Sequence, residues 1–173
     1  MSALPEKIAY AVSVVLLVVA VALRPSPAAA QDLKRQVEGT WQLVSLVATG
    51  DDGQPFNAFG GNTRGMLVLD GHGRFVQILL GDFRIPFASK NRLRGTADEY
   101  KGMGKGTNAY YGAYAVDEAG KLVTFHVDSS AYSNWDRTVQ KRIVAMDGDN
   151  MTFSNPSTAA GGTAVLTWKR VAR

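Results

Sequence analysis

Six side chains on three neighbouring stretches of alternating sequence could meet at one place. In Ala109 to Val116 (AYYGAYAV), period-two alternation puts Tyr110, Gly112 and Tyr114 on one face. In Lys121 to Ser129 (KLVTFHVDS), His126 and Asp128 share a face with Ser130, opposite Phe125 and Val127. In Val139 to Met146 (VQKRIVAM), Gln140 and Arg142 point with Val144, away from Lys141 and Ile143. Turned inward, these rows give a few convergent polar groups in an apolar cavity, the make-up of a small-ligand site. A buried Arg142 then needs a partner, for which Asp128 is the expected carboxylate. Its free guanidinium edge suits carboxylates and polarised oxygens. Trp135, beside Asn134 in a loop, either lines the cavity mouth or packs the loop down, and Tyr132 is in the same position. The rows admit two other readings: a buried network that satisfies itself and only fixes the fold, or the solvated outer faces of amphipathic strands. His126 and Asp128 could also support proton transfer, although side chains two apart on a strand do not pair directly.

Other chemistries find little footing. The sequence holds no Cys and two His, so a thiol nucleophile is excluded. His72 lies in a turn far along the chain from His126, and no metal site is expected. No G-x-S-x-G elbow is present for a serine hydrolase. Gly102, Gly104 and Gly106 follow no strand and lack a closing Lys-Ser/Thr, so they do not form a phosphate loop. No cofactor is expected.

The elements that position these rows are short strands. Gly39 to Ala48 is expected as the first, with Trp41, Leu43, Ser45 and Val47 on one face. Thr63 to Leu69 and Arg74 to Leu80 form a hairpin about Asp70-Gly71-His72-Gly73. Thr96-Ala97-Asp98-Glu99 is a capping box opening a helix, which Gly102, Gly104 and Gly106 keep short. Ala109 to Val116 and Lys121 to Ser129 come next. Val139 to Met146, Met151 to Ser154 and Ala164 to Val171 complete about eight strands. The fold class is therefore all-β: an eight-stranded antiparallel up-and-down barrel with one short helix, whose interior can hold one small ligand.

Residues 1–30 precede this domain, and residues 31–173 make it up. Glu6 and Lys7 lead into an apolar run from Ile8 to Leu23, then Arg24-Pro25-Ser26-Pro27 and Ala28-Ala29-Ala30. That order is the pattern of a signal peptide cleaved before Gln31. The run falls short of the ~20 residues that span a bilayer. Export to the periplasm or medium is expected, with an uncleaved membrane anchor at residues 8–23 as the alternative. The chain of 173 residues carries 19 Lys and Arg against 15 Asp and Glu, net +4. Removing residues 1–30 takes away Lys7, Arg24 and Glu6 and leaves 17 basic and 14 acidic residues, net +3. The basic residues are scattered, so no nucleic-acid partner is indicated. Without cysteines, an exported domain must rely on its core alone.

The mature chain resembles the bacterial and fungal lipocalin-like domain family over nearly its whole length. The resemblance rests on Gly39-Thr40-Trp41 with Leu43-Val44-Ser45, Gly95-Thr96-Ala97, Tyr111-Gly112-Ala113-Tyr114 with Val116-Asp117, and His126-Val127-Asp128. It continues through Asn134-Trp135, Thr138 with Gln140 and Arg142, Asp147-Gly148, and Leu166-Thr167-Trp168-Lys169-Arg170. It implies an eight-stranded lipocalin-type barrel with a Trp near its closed end. Trp41 is expected to be that plug, beneath the guanidinium of Arg170 or Arg142. The sequence departs from the family at Ala131-Tyr132-Ser133, in place of a proline-containing turn, and at Asp136-Arg137, in place of a glycine step. The expected function is binding of a small hydrophobic or amphipathic molecule by Tyr110, Tyr114, His126, Asp128, Trp135, Gln140 and Arg142. The alternatives are an isomerase or cyclase using the same cavity, and a ligand-free structural module of the cell envelope.

Overall fold

Burial alternates along the strands as the sequence pattern requires, most cleanly in Arg74–Leu80, where Phe75, Gln77 and Leu79 are buried and Arg74, Val76 and Ile78 face out. The computed structural model describes residues 33–172. The expected signal segment, residues 1–30, and the alternative anchor at residues 8–23 lie outside them.

The chain runs α1 (residues 33–37), β1 (Gly39–Thr49), β2 (Pro55–Phe56), β3 (Arg64–Leu69), β4 (Arg74–Leu80), α2 (Ala97–Lys105) and β5 (Thr107–Asp117). It continues through β6 (Leu122–Ser130), β7 (Val139–Asp147), β8 (Asn150–Asn155) and β9 (Thr163–Ala172). All pairings are antiparallel, and the order β1-β3-β4-β5-β6-β7-β8-β9 closes through β1–β9 pairing. The result is the expected eight-stranded up-and-down barrel. The two-residue β2, which the sequence pattern did not show, pairs with the far end of β1.

The two barrel ends differ because their connections differ. At one end the turns are tight: Asp70 to Gly73, Glu118 to Lys121, and Gly148-Asp149. Asp70 sets the first by accepting from the His72 and Arg74 amides at 2.9 and 2.7 Å, with Gly73 at φ 79°. This end is plugged. Val37 and Trp41 are fully buried, and the Trp41 indole donates to the Val37 carbonyl at 2.8 Å. Arg170 lies 4.1 Å over the Trp41 ring and donates to the Glu38 and Gln36 carbonyls. Arg142, the other cation considered for that stack, is instead in the barrel interior. Glu118 accepts from the Leu33 and Lys34 amides at 3.1 and 2.9 Å and so fastens the start of α1 to the β5–β6 turn. The opposite end carries the long connections and forms the mouth.

The core between them is a chain of edge-to-face aromatic rings. Phe153, Phe125 and Phe75 meet at centroid distances of 5.8 and 4.6 Å. Tyr110 follows at 5.4 Å from Phe75, then Trp135 at 5.3 Å, then Tyr132 at 5.8 Å. The chain thus runs from the packed middle of the barrel to its mouth.

The register shifts at three places, once at Val171 near the end of β9 and twice within strands, where the shift reverses the alternation that the sequence predicts. In β1 the register with β9 slips between Leu43 and Ser45. Val44 and Ser45 both face solvent, and the inward residues become Trp41, Leu43, Leu46 and Ala48. Ser45 and Val47 therefore do not share the face of Trp41. In β6 the register with β5 slips at Asp128, which has no partner, while Tyr111 pairs with Ser129 and Gly112 with Val127. A side chain at Gly112 would run into the His126 carbonyl, so the bulge needs glycine opposite it.

Candidate functional site

A cavity of about 390 Å³ opens at the mouth, between the strand ends and the loops that overhang them. Its apolar walls include Leu46 and Ala48 from β1, Leu79 from β4, Phe153 from β8, and Ala164 and Leu166 from β9. Leu46 and Ala48 reach it only because the β1 bulge turns them inward. Polar groups include Gln77, Asn108, Tyr110 and Arg142 from β4, β5 and β7, Lys105 from the end of α2 and Asn155 from β8. Tyr132 and Trp135 line the mouth, and the short 3-10 turn Ser133–Trp135 presents them. The loop over the mouth is built around α2. Thr96 and Glu99 form the expected capping box, and Glu99 also accepts from the Ala88 amide at 2.8 Å. These bonds hold the Glu99 carboxyl below its ordinary pKa.

Arg142 is 7% exposed. Its guanidinium donates to Gln140 Oε1 at 2.6 Å and to the Lys141 carbonyl at 2.9 Å, both neutral acceptors. Among the described residues, no Asp, Glu or His lines the cavity and no carboxylate forms an ion pair with Arg142. Gln140 Nε2 and Asn108 Oδ1 are buried without a partner. Burial raises the pKa of the Tyr110 hydroxyl, against the pull of the adjacent Arg142 and Gln77. Tyr110 is therefore neutral across the physiological range.

The structure brings together Tyr110, Trp135 and Arg142 at the cavity, with Gln140 bonded to Arg142 behind it. It does not bring in His126 or Asp128. Both face solvent, and Asp128 pairs with Arg74 at 2.7 Å on the outer surface. The reason is cross-strand register. Directly opposed residues in an antiparallel pair face the same side. Arg142 opposes Val123 and Gln140 opposes Phe125, so the apolar row of β6 points inward. Asp128 is accordingly not the partner of Arg142. Nor does Ser130 share their face, because the bulge at Asp128 reverses the alternation and pairs Ser130 with inward Tyr110. Tyr114 does point inward, but at the plugged end, where its hydroxyl donates to the Asp70 carbonyl at 2.7 Å. It is not among the cavity-lining residues.

Gln77 and Asn108 escaped the sequence reading. Each left a signal: Gln77 is the polar residue between Phe75 and Leu79 on an apolar face, and Asn108 stands two before Tyr110. Starting β5 at Ala109 rather than Thr107 removed Asn108 from view.

Closure of eight antiparallel strands around one interior cavity defines a lipocalin-type barrel. The sequence model of the lipocalin-like domain matches residues 38–171. The chain belongs to the lipocalin-like domain family. No curated protein and no solved structure matches it.

Proposed function

We propose that this protein is an exported binding protein that holds a small, largely apolar molecule inside its barrel. The cavity itself carries the proposal. At about 390 Å³ it falls within the ~300–1,000 Å³ typical of small-molecule sites. It couples apolar walls from β1, β4, β8 and β9 with a few polar groups on β4, β5 and β7. A barrel stabilised only by its packing would be expected to fill this space with side chains, as it does around Phe75 and Phe125.

The test uses protein purified from an exporting host, in two measurements. Native mass spectrometry looks for a co-purified small molecule, and titration with the neutral fluorophore N-phenyl-1-naphthylamine asks for saturable binding. Ala164 is 7% exposed and lines the cavity, so Ala164→Phe should fill it and abolish probe binding while the barrel remains folded. Equal probe binding by Ala164→Phe and the parent protein would place the probe elsewhere and overturn the proposal. So would the absence of both a co-purified molecule and saturable binding.

A further inference from the structure

We infer that the molecule held in this cavity is an amphiphile with a single anionic head group, bound head inward against Arg142. The inference rests on the cavity being a ligand site, as proposed above, and adds the charge and orientation of what fills it.

The first observation is the state of Arg142. A guanidinium taken out of water is costly unless a counter-charge and hydrogen bonds replace the lost solvation. Arg142 keeps its charge under all ordinary conditions, yet it is 7% exposed and its two acceptors, Gln140 Oε1 and the Lys141 carbonyl, are both neutral. Two of its five N–H donors are used in this way. The Tyr110 hydroxyl beside it is kept protonated by burial, so it supplies no charge.

The second observation is independent of the charge. Gln140 Nε2 is buried with no acceptor, although the same amide's oxygen is taken by Arg142 at 2.6 Å. That bond fixes which end of the amide is the donor. A buried donor without a partner and a buried cation without a counter-ion thus sit on adjacent side chains. Arg142 lines the cavity and Gln140 does not, so an anionic head placed there would be met by the guanidinium, with Gln140 holding that guanidinium from behind. Charge-assisted bonds to a guanidinium fork are the strong class of hydrogen bond.

The remaining surfaces fix the orientation. Leu46, Leu79 and Leu166 line the wall and can take an apolar tail that ends near Trp135 at the mouth. The connection overhanging the mouth, residues 81–106, carries Arg84, Lys90, Arg92, Arg94, Lys101 and Lys105 against Asp82, Asp98 and Glu99, net +3. That equals the net charge of residues 31–173. With the other connections at this end, residues 50–54, 57–63, 131–138 and 156–162, which add Asp51, Asp52 and Asp136 against Arg137, the entrance sums to net +1, a weak preference for an anion.

The experiment is displacement of N-phenyl-1-naphthylamine at pH 7.5 by four ten-carbon amphiphiles below their micelle concentrations. These are decanoate, decyl sulfate, decanol and decyltrimethylammonium. An anion should displace the probe about tenfold to a hundredfold better than decanol, the range expected for hydrogen bonds to a charged group. The cation should be weakest. Comparison of decanoate with decyl sulfate tells a carboxylate preference from a sulfate preference. Arg142→Met should abolish the advantage of the anions and spare decanol, whereas Asp128→Asn, on the outer surface, should change neither. The comparison in the parent protein stands even if Arg142→Met does not fold. If the probe binds and decanol equals or exceeds both anions, the anionic head is wrong and the apolar-ligand reading survives. If neither probe nor any amphiphile binds, both fail.

Discussion

At the scale of single residues, Trp41 and Arg142 show two uses of a large side chain in the same barrel. Trp41 is fully buried at the plugged end, with its indole nitrogen satisfied and Arg170 over its ring. Trp41→Ala should therefore cost about 3–5 kcal/mol in unfolding free energy, the usual result of truncating a large buried aromatic. Denaturant titration would measure it, and a loss below about 1 kcal/mol would mean that the plug is not what holds this end. The Trp41 plug could be anticipated from the family resemblance, which implies a Trp near the closed end, and of the two cations considered for its stack Arg170 is the one over the ring. Alternation set Arg142 opposite Lys141 and Ile143 but left open which face is inside. The same held for His126 and Asp128. Polarity alone favours gathering polar rows together, whereas the pairing of Arg142 with Val123 turns the apolar row of β6 inward. A strand's own alternation gives two faces, and only its neighbour's register says which one is inside.

Elements behave as their local chemistry dictates, and departures come where one residue is inserted. The strand bodies were legible because each alternates with period two between Gly- and Asp-containing turns. The bulges at Val44 and Asp128 were not, since a single extra residue leaves little trace in composition and yet reverses the facing of all that follows. Without the first, Leu46 and Ala48 would face solvent and the cavity would lose one wall. The helix α2 was legible from its capping box, and it has a consequence for pH. Glu99 accepts from the Thr96 amide at 2.7 Å and the Ala88 amide at 2.8 Å, and its pKa is lowered from 4.5, chiefly by the Ala88 bond and then by the Thr96 bond. A carboxyl whose folded pKa lies below its unfolded value stabilises the fold above the unfolded pKa. That contribution shrinks below pH 4.5 and is lost as the pH falls through the lower folded value. Hydrogen exchange, corrected for the intrinsic rate, should show the Ala88 and Thr96 amides protected at neutral pH and released together in that acidic window. In Glu99→Gln, one amide oxygen cannot carry both bonds in the same way, so Ala88 should be unprotected at every pH. Protection of Ala88 in that variant would show that the loop is held by something else.

For the molecule as a whole, the division into a plugged end and a mouth organises both charge and access. Eight strands with tight Asp- and Gly-bearing turns made closure legible, but the long connections at the mouth were not, because their conformation depends on contacts between loops. Net charge was read as scattered, and in sequence it is. Folding puts the connection 81–106, net +3, at the mouth end and brings Lys105 from it to the cavity lining. If the ligand is anionic, its association rate should fall about two- to tenfold as ionic strength rises from low to physiological, through screening of that loop. Stopped-flow measurements with decanoate and the naphthylamine probe would read this. A combined Lys90→Gln, Arg92→Gln and Arg94→Gln variant should slow association and flatten the salt dependence, and unchanged kinetics in that variant would remove the loop from the entry path. The attachment of α1 sets how the barrel can be presented. Glu118 holds the backbone at Leu33 and Lys34 against the β5–β6 turn, at the end away from the mouth. Any tether joined ahead of residue 33, whether a membrane-bound segment, an affinity tag or a link to a sensor chip, therefore pulls on the sealed base of the cup. The rim is then at the opposite end from the point of attachment.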